Sequence, residues 1–212
     1  MMNIKAILVM ATAALASSAY AEDLYVVGSV GQSKFHGANE QTYDSTLSSS
    51  GGVVQSSNLK DTDTGFKLLL GHQFSPNFAL EGGYVNLGKS KFNAALSEGN
   101  ASANLKSYGG VVDAVGILPL SNEFSVFGKG GLYVGKTSLD VSNSSAASAG
   151  AFSGQDSSWK TSLNYGAGVS YALNKNVSLR GEYERFSRVG DDASTGGKAN
   201  VDLLSVGISA KF

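Results

Sequence analysis

Apolar and polar positions alternate through most of the chain, and the pattern is clearest between Val201 and Phe212. Successive side chains of a β-strand point to opposite faces, so the even-numbered positions from Leu204 to Phe212 share one apolar face. The odd-numbered positions from Leu203 to Lys211, on the other face, are small or polar apart from Leu203. An apolar outer face of about ten residues against a polar inner face is the pattern of a strand that crosses a bilayer.

The same alternation predicts eight strands, which begin near Leu24, Phe66, Phe78, Leu105, Phe124, Leu163, Val177 and Val201. Polar segments at residues 36–64, 88–104, 137–158 and 187–199 predict four long loops. Turn-forming residues at 75–77, 121–123 and 174–176 predict three short turns. Long and short connections therefore alternate, as they do in outer-membrane barrels. In the fourth strand both faces are apolar, and its orientation is inferred mainly from Asp113.

Residues 1–21 have the pattern of a secretory signal peptide. A short start containing Lys5 precedes an apolar run at residues 6–16, and Ala19 and Ala21 supply a small-x-small cleavage site before Glu22. The apolar run is shorter than the ~20 residues that a membrane-spanning helix needs. We therefore predict a signal peptide at residues 1–21 and one domain at residues 22–212.

Composition narrows the class of protein further. The 16 lysines and arginines nearly balance 17 aspartates and glutamates, so no net charge favours a nucleic-acid partner. An exported chain without cysteine does not rely on disulfides. Pairing the first strand with the last would remove both exposed edges. We predict an all-β fold, an eight-stranded antiparallel up-and-down transmembrane β-barrel with long extracellular loops and short periplasmic turns, integral to a Gram-negative outer membrane. A soluble lipocalin-like barrel, the alternative, would show mainly short hairpins.

Several segments of the chain resemble one known family. Residues 69–76 read Leu-Leu-Gly-His-Gln-Phe-Ser-Pro, residues 80–88 read Leu-Glu-Gly-Gly-Tyr-Val-Asn-Leu-Gly, and residues 168–173, 179–183 and 204–212 match as well. In order and spacing these segments resemble the transmembrane barrel domain of OmpA-type outer-membrane proteins. The resemblance does not include the peptidoglycan-binding domain that many members carry, so cell-wall anchoring is not expected.

The resemblance also implies partners during assembly and in the membrane. Gly207, Ala210 and Phe212 are similar to the terminal signal that the barrel-assembly machinery reads, and periplasmic chaperones are expected to assist that step. Outer-membrane lipid and lipopolysaccharide are expected to surround the barrel.

Six ionisable side chains are predicted to point into the barrel: Lys67, Glu81, Asp113, Lys129, Arg180 and Glu182. Side chains just fill the interior of an eight-stranded barrel, and an unpaired buried charge costs several kcal/mol. Three cations and three anions are expected to neutralise one another. The resemblance implies interior salt bridges linked to a gated passage, with Glu81 and Arg180 at matching positions and uncharged Val115 and Ser170 at two others. A structural plug and an ion path both remain open.

Candidate catalytic chemistry is sparse. A hydrolase of lipid acyl chains needs an oriented serine, histidine and carboxylate, and neither His36 nor His72 is placed beside such a pair by the pattern. The loop carboxylates Asp61, Asp63, Asp191 and Asp192 are expected to be solvated. We predict no catalytic residue, cofactor or metal.

The predicted function is a structural or surface-interaction role, with loops that contact host or phage ligands. A narrow channel for ions or small solutes is the alternative, and a lipid-modifying enzyme is a third possibility.

Overall fold

The computed structural model describes residues 23–36, 54–97, 99–143, 154–190 and 199–212. Within them lie the strands β1 (Leu24–His36), β2 (Val54–Lys60), β3 (Thr62–Ser75), β4 (Phe78–Leu96), β5 (Gly99–Pro119), β6 (Phe124–Asn143), β7 (Gly154–Ala172), β8 (Val177–Val189) and β9 (Ala199–Lys211). The predicted signal peptide and its cleavage site at Ala19, Ala21 and Glu22 lie outside the described residues. None of the described segments forms a helix long and apolar enough to cross a membrane.

Eight of these strands form a closed antiparallel barrel. Each pairs with its neighbours in the order β1, β3, β4, β5, β6, β7, β8, β9, and β9 returns to β1. The closing ladder runs from Tyr25 opposite Lys211 to His36 opposite Asn200. The predicted eight-stranded up-and-down barrel is confirmed. The remaining strand, β2, pairs with the outer part of β4.

The two faces of each strand differ in the way the alternation predicts. On β5, Val111, Asp113 and Val115 are at most 3 % exposed, whereas Val112 and Leu118 are more than half exposed. The orientation inferred from Asp113 is therefore correct, although both faces of this strand are apolar. Apolar side chains that point outward meet lipid hydrocarbon, while those that point inward pack the interior.

The short turns have the chemistry expected of them. In the turn after β7, the side-chain carbonyl of Asn174 accepts the backbone N–H groups of Asn176 and Val177, both at 2.9 Å. In the turn after β5, the Ser121 hydroxyl accepts the backbone N–H of Phe124 at 3.0 Å. These side chains satisfy backbone donors where the chain reverses.

The predicted long loops are partly wrong. Residues 88–104 were predicted as a loop, yet β4 continues to Leu96 and β5 begins at Gly99. Strands β6 and β7 also extend into the third predicted loop, and β2 occupies part of the first. Inward and outward positions alternate in these segments too, but many of the residues are small. Segments rich in Ser, Asn and Ala have the composition of loops, so the sequence does not reveal the strands. Residues 37–53, 144–153 and 191–198, including Asp191 and Asp192, lie outside the described residues.

Candidate functional site in the barrel interior

The barrel interior brings together the six charged side chains that the alternation assigned to it. They come from five strands: Lys67 from β3, Glu81 from β4, Asp113 from β5, Lys129 from β6, and Arg180 and Glu182 from β8. All six residues are buried, with 7 % exposure or less. Because strands of a barrel surround one interior, residues far apart in sequence meet there.

Lys129 lies at the centre of this cluster. Its Nζ is 2.6 Å from a Glu184 carboxylate oxygen and 3.1 Å from one of Glu182. It also lies 3.4 Å from Asp113 and 3.8 Å from Glu81. One ammonium group therefore faces carboxylates from three strands and links the charges on opposite walls.

Two further cations complete the network. Lys67 donates to Glu182 at 2.6 Å and also contacts Glu184. Arg180 donates from Nη1 to Glu81 at 2.5 Å, and its Nε lies 2.9 Å from Glu182. The Arg180 guanidinium carbon is 4.4 Å from the centre of the Phe127 ring, a cation–π arrangement that holds its planar group in place.

Sequence reasoning missed Glu184, which joins the cluster as a seventh ionisable side chain. Glu184 is 1 % exposed and bonds both lysines, so three cations face four carboxylates. The alternation did place it on the same face as Arg180, but its position near the predicted end of the strand excluded it. Buried neutral donors also reach the carboxylates: the Tyr25 hydroxyl donates to Glu81 at 2.8 Å and the Asn164 amide to Asp113 at 2.5 Å.

A vestibule of about 190 Å³ opens the interior towards the short turns. It is lined by polar side chains such as Gln73 and Ser178 and ends at Glu81 and Arg180. Ser170 lies along its wall. Short turns face the periplasm in outer-membrane barrels, so the vestibule opens to that side and ends at the edge of the charge cluster.

On the outer side of the charges, apolar and aromatic side chains fill the interior. Tyr133 and Phe186 are fully buried and pack edge to face, with their ring centres 5.2 Å apart. Phe35, Leu87 and Leu203 are at most 1 % exposed and belong to the same core. This layer separates the cluster from the outer end of the barrel.

Both histidines make contacts that account for their positions. His36 Nε2 lies 2.9 Å from the Asp202 carboxylate, which Arg185 also binds in bidentate fashion at 2.6 and 2.7 Å. This arrangement joins the outer ends of β1, β8 and β9. The His72 ring packs edge-on against Phe74, with the ring centres 4.4 Å apart.

The residues of the predicted assembly signal lie on β9 and just after it. Gly207 pairs with Ser29 and Ala210 with Val26 of β1, and the Phe212 backbone N–H donates to the Leu24 carbonyl at 3.0 Å. These contacts belong to the barrel closure. A role in assembly remains a prediction.

A closed eight-stranded barrel that is apolar outside and filled by a charged network inside defines an integral β-barrel protein of the outer membrane. The chain belongs to the family of OmpA-like transmembrane domains, which matches residues 19–212.

The chain is also similar to individual known proteins. Outer membrane protein A of Klebsiella aerogenes is 26% identical over 188 residues, which is 89% of this chain and 48% of the relative. The chain thus spans about half the length of that relative. Neisserial surface protein A has a similar structure, with a TM-score of 0.53, 17% identity, and coverage of 89% of this chain and 97% of that one. Ail, the attachment invasion locus protein of Yersinia pestis, has a TM-score of 0.49, 19% identity, and coverage of 90% and 99%.

Proposed function

We propose that this protein is a non-catalytic membrane anchor that presents a recognition surface outside the cell. The observation that supports this function best is the length of β5 and β6, which contain 21 and 20 residues. A strand tilted by about 40° crosses the apolar band with roughly ten residues. About half of each strand therefore projects beyond the bilayer.

The projecting part has a small apolar core of its own. Phe92 and Ala94 of β4 and Ala101 and Ala103 of β5 are buried, with 7 % exposure or less. Leu59, Leu139 and Val141 pack against them from β2 and β6. We call this four-stranded region, formed by β2 and the outer parts of β4, β5 and β6, the outer extension. Burial of these side chains supports a defined surface rather than a set of loose loops.

The outer extension carries an open groove of about 700 Å³ near its tip. Seven of its ten lining residues carry a hydroxyl or amide group, among them Ser56, Asn58 and Asn93, and the other three are alanines. Neutral groups of this kind can both donate and accept hydrogen bonds. The groove therefore suits a polar ligand on a host cell or a phage.

The test is a trimmed variant in which residues 91–104 are replaced by Asn-Gly, which favours a tight hairpin turn. Cells that display the protein should adhere to cultured epithelial cells or adsorb phage from a defined panel, and cells with the trimmed variant should not. Correct barrel folding is checked by faster gel migration without heating. A control at the periplasmic end of the barrel replaces Ser75, the last residue of β3, by Gly. Equal adherence of cells with and without the protein in every assay would refute this function.

A narrow ion channel is a second candidate, supported by the vestibule that reaches Glu81 and Arg180. The buried ring pair Tyr133 and Phe186 argues against it, since these rings fill the interior and an ion that passed them would lose its hydration. In planar bilayers we expect very low conductance. A steady conductance of the wild type that Arg180→Met changes would favour the channel instead.

A further inference from the structure

Lysines lie opposite one another on the outward face of the outer extension. Lys60 of β2 pairs with Lys91 of β4, and Lys89 of β4 pairs with Lys106 of β5. Residues directly opposite across an antiparallel ladder have Cβ atoms about 4.5–5.5 Å apart, and like charges at such positions are destabilising. The repulsion within these two pairs of lysines favours the binding of an anion beside them.

A fifth lysine extends the group onto the next strand. Lys136 of β6 pairs with Tyr108, which is two residues from Lys106 on the same face of β5. Diagonal neighbours of this kind are about 7–8 Å apart. Buried Ser107 and Thr137 alternate with these residues, which places the lysines on the outer face. We call Lys60, Lys89, Lys91, Lys106 and Lys136 the lysine patch.

Two carboxylates offset the patch only in part. The Asp140 carboxylate lies 2.7 Å from Lys106 Nζ, and the Asp63 carboxylate accepts the backbone N–H of Lys89 at 3.0 Å. Among the described residues, five cations of the patch therefore face two anions. The patch retains a positive charge to which an anionic partner is complementary.

The height of the patch indicates which anion can reach it. Phe66, Tyr84 and Tyr108 form an outward-facing aromatic row, with ring centres 5.9 and 6.4 Å apart. Such rings mark the membrane interface. Counted from Phe78, Lys89 lies just beyond the roughly ten residues that a tilted strand needs to cross the apolar band. The patch thus begins at the level of the lipid headgroups on the outer side.

We propose that the lysine patch binds the phosphate groups of a phosphorylated glycolipid in the outer leaflet. Lysine is a point-charge phosphate ligand, and adjacent lysines on two strands suit a headgroup that carries more than one phosphate. The patch faces sideways and continues from the lipid-facing aromatic row, so a lipid approaches it without leaving the membrane. This inference does not depend on the proposed recognition function.

The single tryptophan of the chain reports on this site. Trp159 of β7 pairs with Lys136 and is 64 % exposed. The protein is reconstituted in zwitterionic phospholipid vesicles that contain brominated lipid A with two phosphates, or the same lipid without phosphates. Bromine quenches tryptophan fluorescence at short range. Quenching of Trp159 above the level expected for randomly mixed lipids therefore measures preferential binding of the brominated lipid. We expect preferential quenching by the phosphorylated form only, weakening with added salt because screening shortens the reach of each charge.

The variant Lys89→Gln/Lys106→Gln/Lys136→Gln tests the patch directly. Each basic side chain at an anionic surface contributes about a five-fold increase in affinity. In this variant the quenching by the phosphorylated lipid should therefore fall to the level expected for randomly mixed lipids. The corresponding triple arginine variant keeps the charge and should keep the preference. A control that removes charge at the periplasmic end, Lys175→Gln/Lys211→Gln, should bind as the wild type does, whereas Lys89→Gln/Lys106→Gln, which loses the same charge from the patch, should not.

Three results would overturn the inference. The first is equal quenching of the wild type by both lipids, and the second is an equal loss of preference in the periplasmic control variant and in the patch variant that loses the same charge. The third is patch-dependent capture of a soluble sulfated polysaccharide with no preference for the phosphorylated lipid, which would assign the patch to a ligand from outside the cell. Faster gel migration without heating checks that each variant is folded. The comparison of the two lipids with the wild-type protein tests the inference even if a variant fails to fold.

Discussion

Replacing Lys129 by Met should destabilise the barrel more than an ordinary interior substitution does. The Lys129 side chain is 1 % exposed, and its Nζ lies within 3.8 Å of carboxylates from Glu81, Asp113, Glu182 and Glu184. Met has similar length, so the change removes the charge and leaves little cavity. Two cations would then face four carboxylates. Breaking a buried ion pair typically costs about 3–5 kcal/mol, and we expect Lys129→Met to reach the upper part of that range.

The measurement is the free energy of unfolding by urea in lipid vesicles. Glu184→Gln removes the carboxylate nearest to Lys129, so adding it to Lys129→Met should restore part of the lost stability. The coupling between the two changes should exceed about 0.5 kcal/mol, because the groups are in contact. Lys175 in a short turn is exposed, and Lys175→Met should change stability by less than about 0.5 kcal/mol.

Two results would refute this reasoning. A cost below about 1 kcal/mol for Lys129→Met would mean that water screens the cluster, as it does surface ion pairs. Strict additivity of Lys129→Met and Glu184→Gln would show that the short distance between these groups carries no energetic coupling.

Three further changes test the rest of the structure. Val112→Arg, on the lipid-facing side near mid-membrane, should cost about 2–4 kcal/mol of unfolding free energy in the same urea titration. Leu118→Arg, near the periplasmic end, should cost about 0–1 kcal/mol, and equal costs would contradict the assigned depth of the two residues. Arg180→Met and Glu81→Gln should be coupled by more than about 0.5 kcal/mol, whereas independent effects would show that they are not partners. Phe92→Ala should accelerate cleavage of the outer extension by external protease without changing barrel unfolding, and an unchanged cleavage rate would show that this small core does not hold the extension.

The alternation of apolar and polar positions was sufficient to predict the barrel. Lipid requires an apolar outer face at every second residue, and Leu204, Val206 and Ile208 on β9 show this in their exposure of 53 to 67 %. Closure follows because an open edge cannot be tolerated in hydrocarbon. The inward positions of Lys67 and Asp113 follow from the same period of two.

The tertiary structure decided which of these side chains meet and how far the strands extend. Glu184 joins the charge cluster because shear between strands brings it beside Lys129, and a single strand contains no information on that shear. The outer extension forms because the outer parts of β4 and β5 pair with each other and with β2 and β6, although their composition resembles that of a loop. The pairing of Lys89 with Lys106 depends on the register of two strands, which is set by packing across the sheet and not by either strand alone.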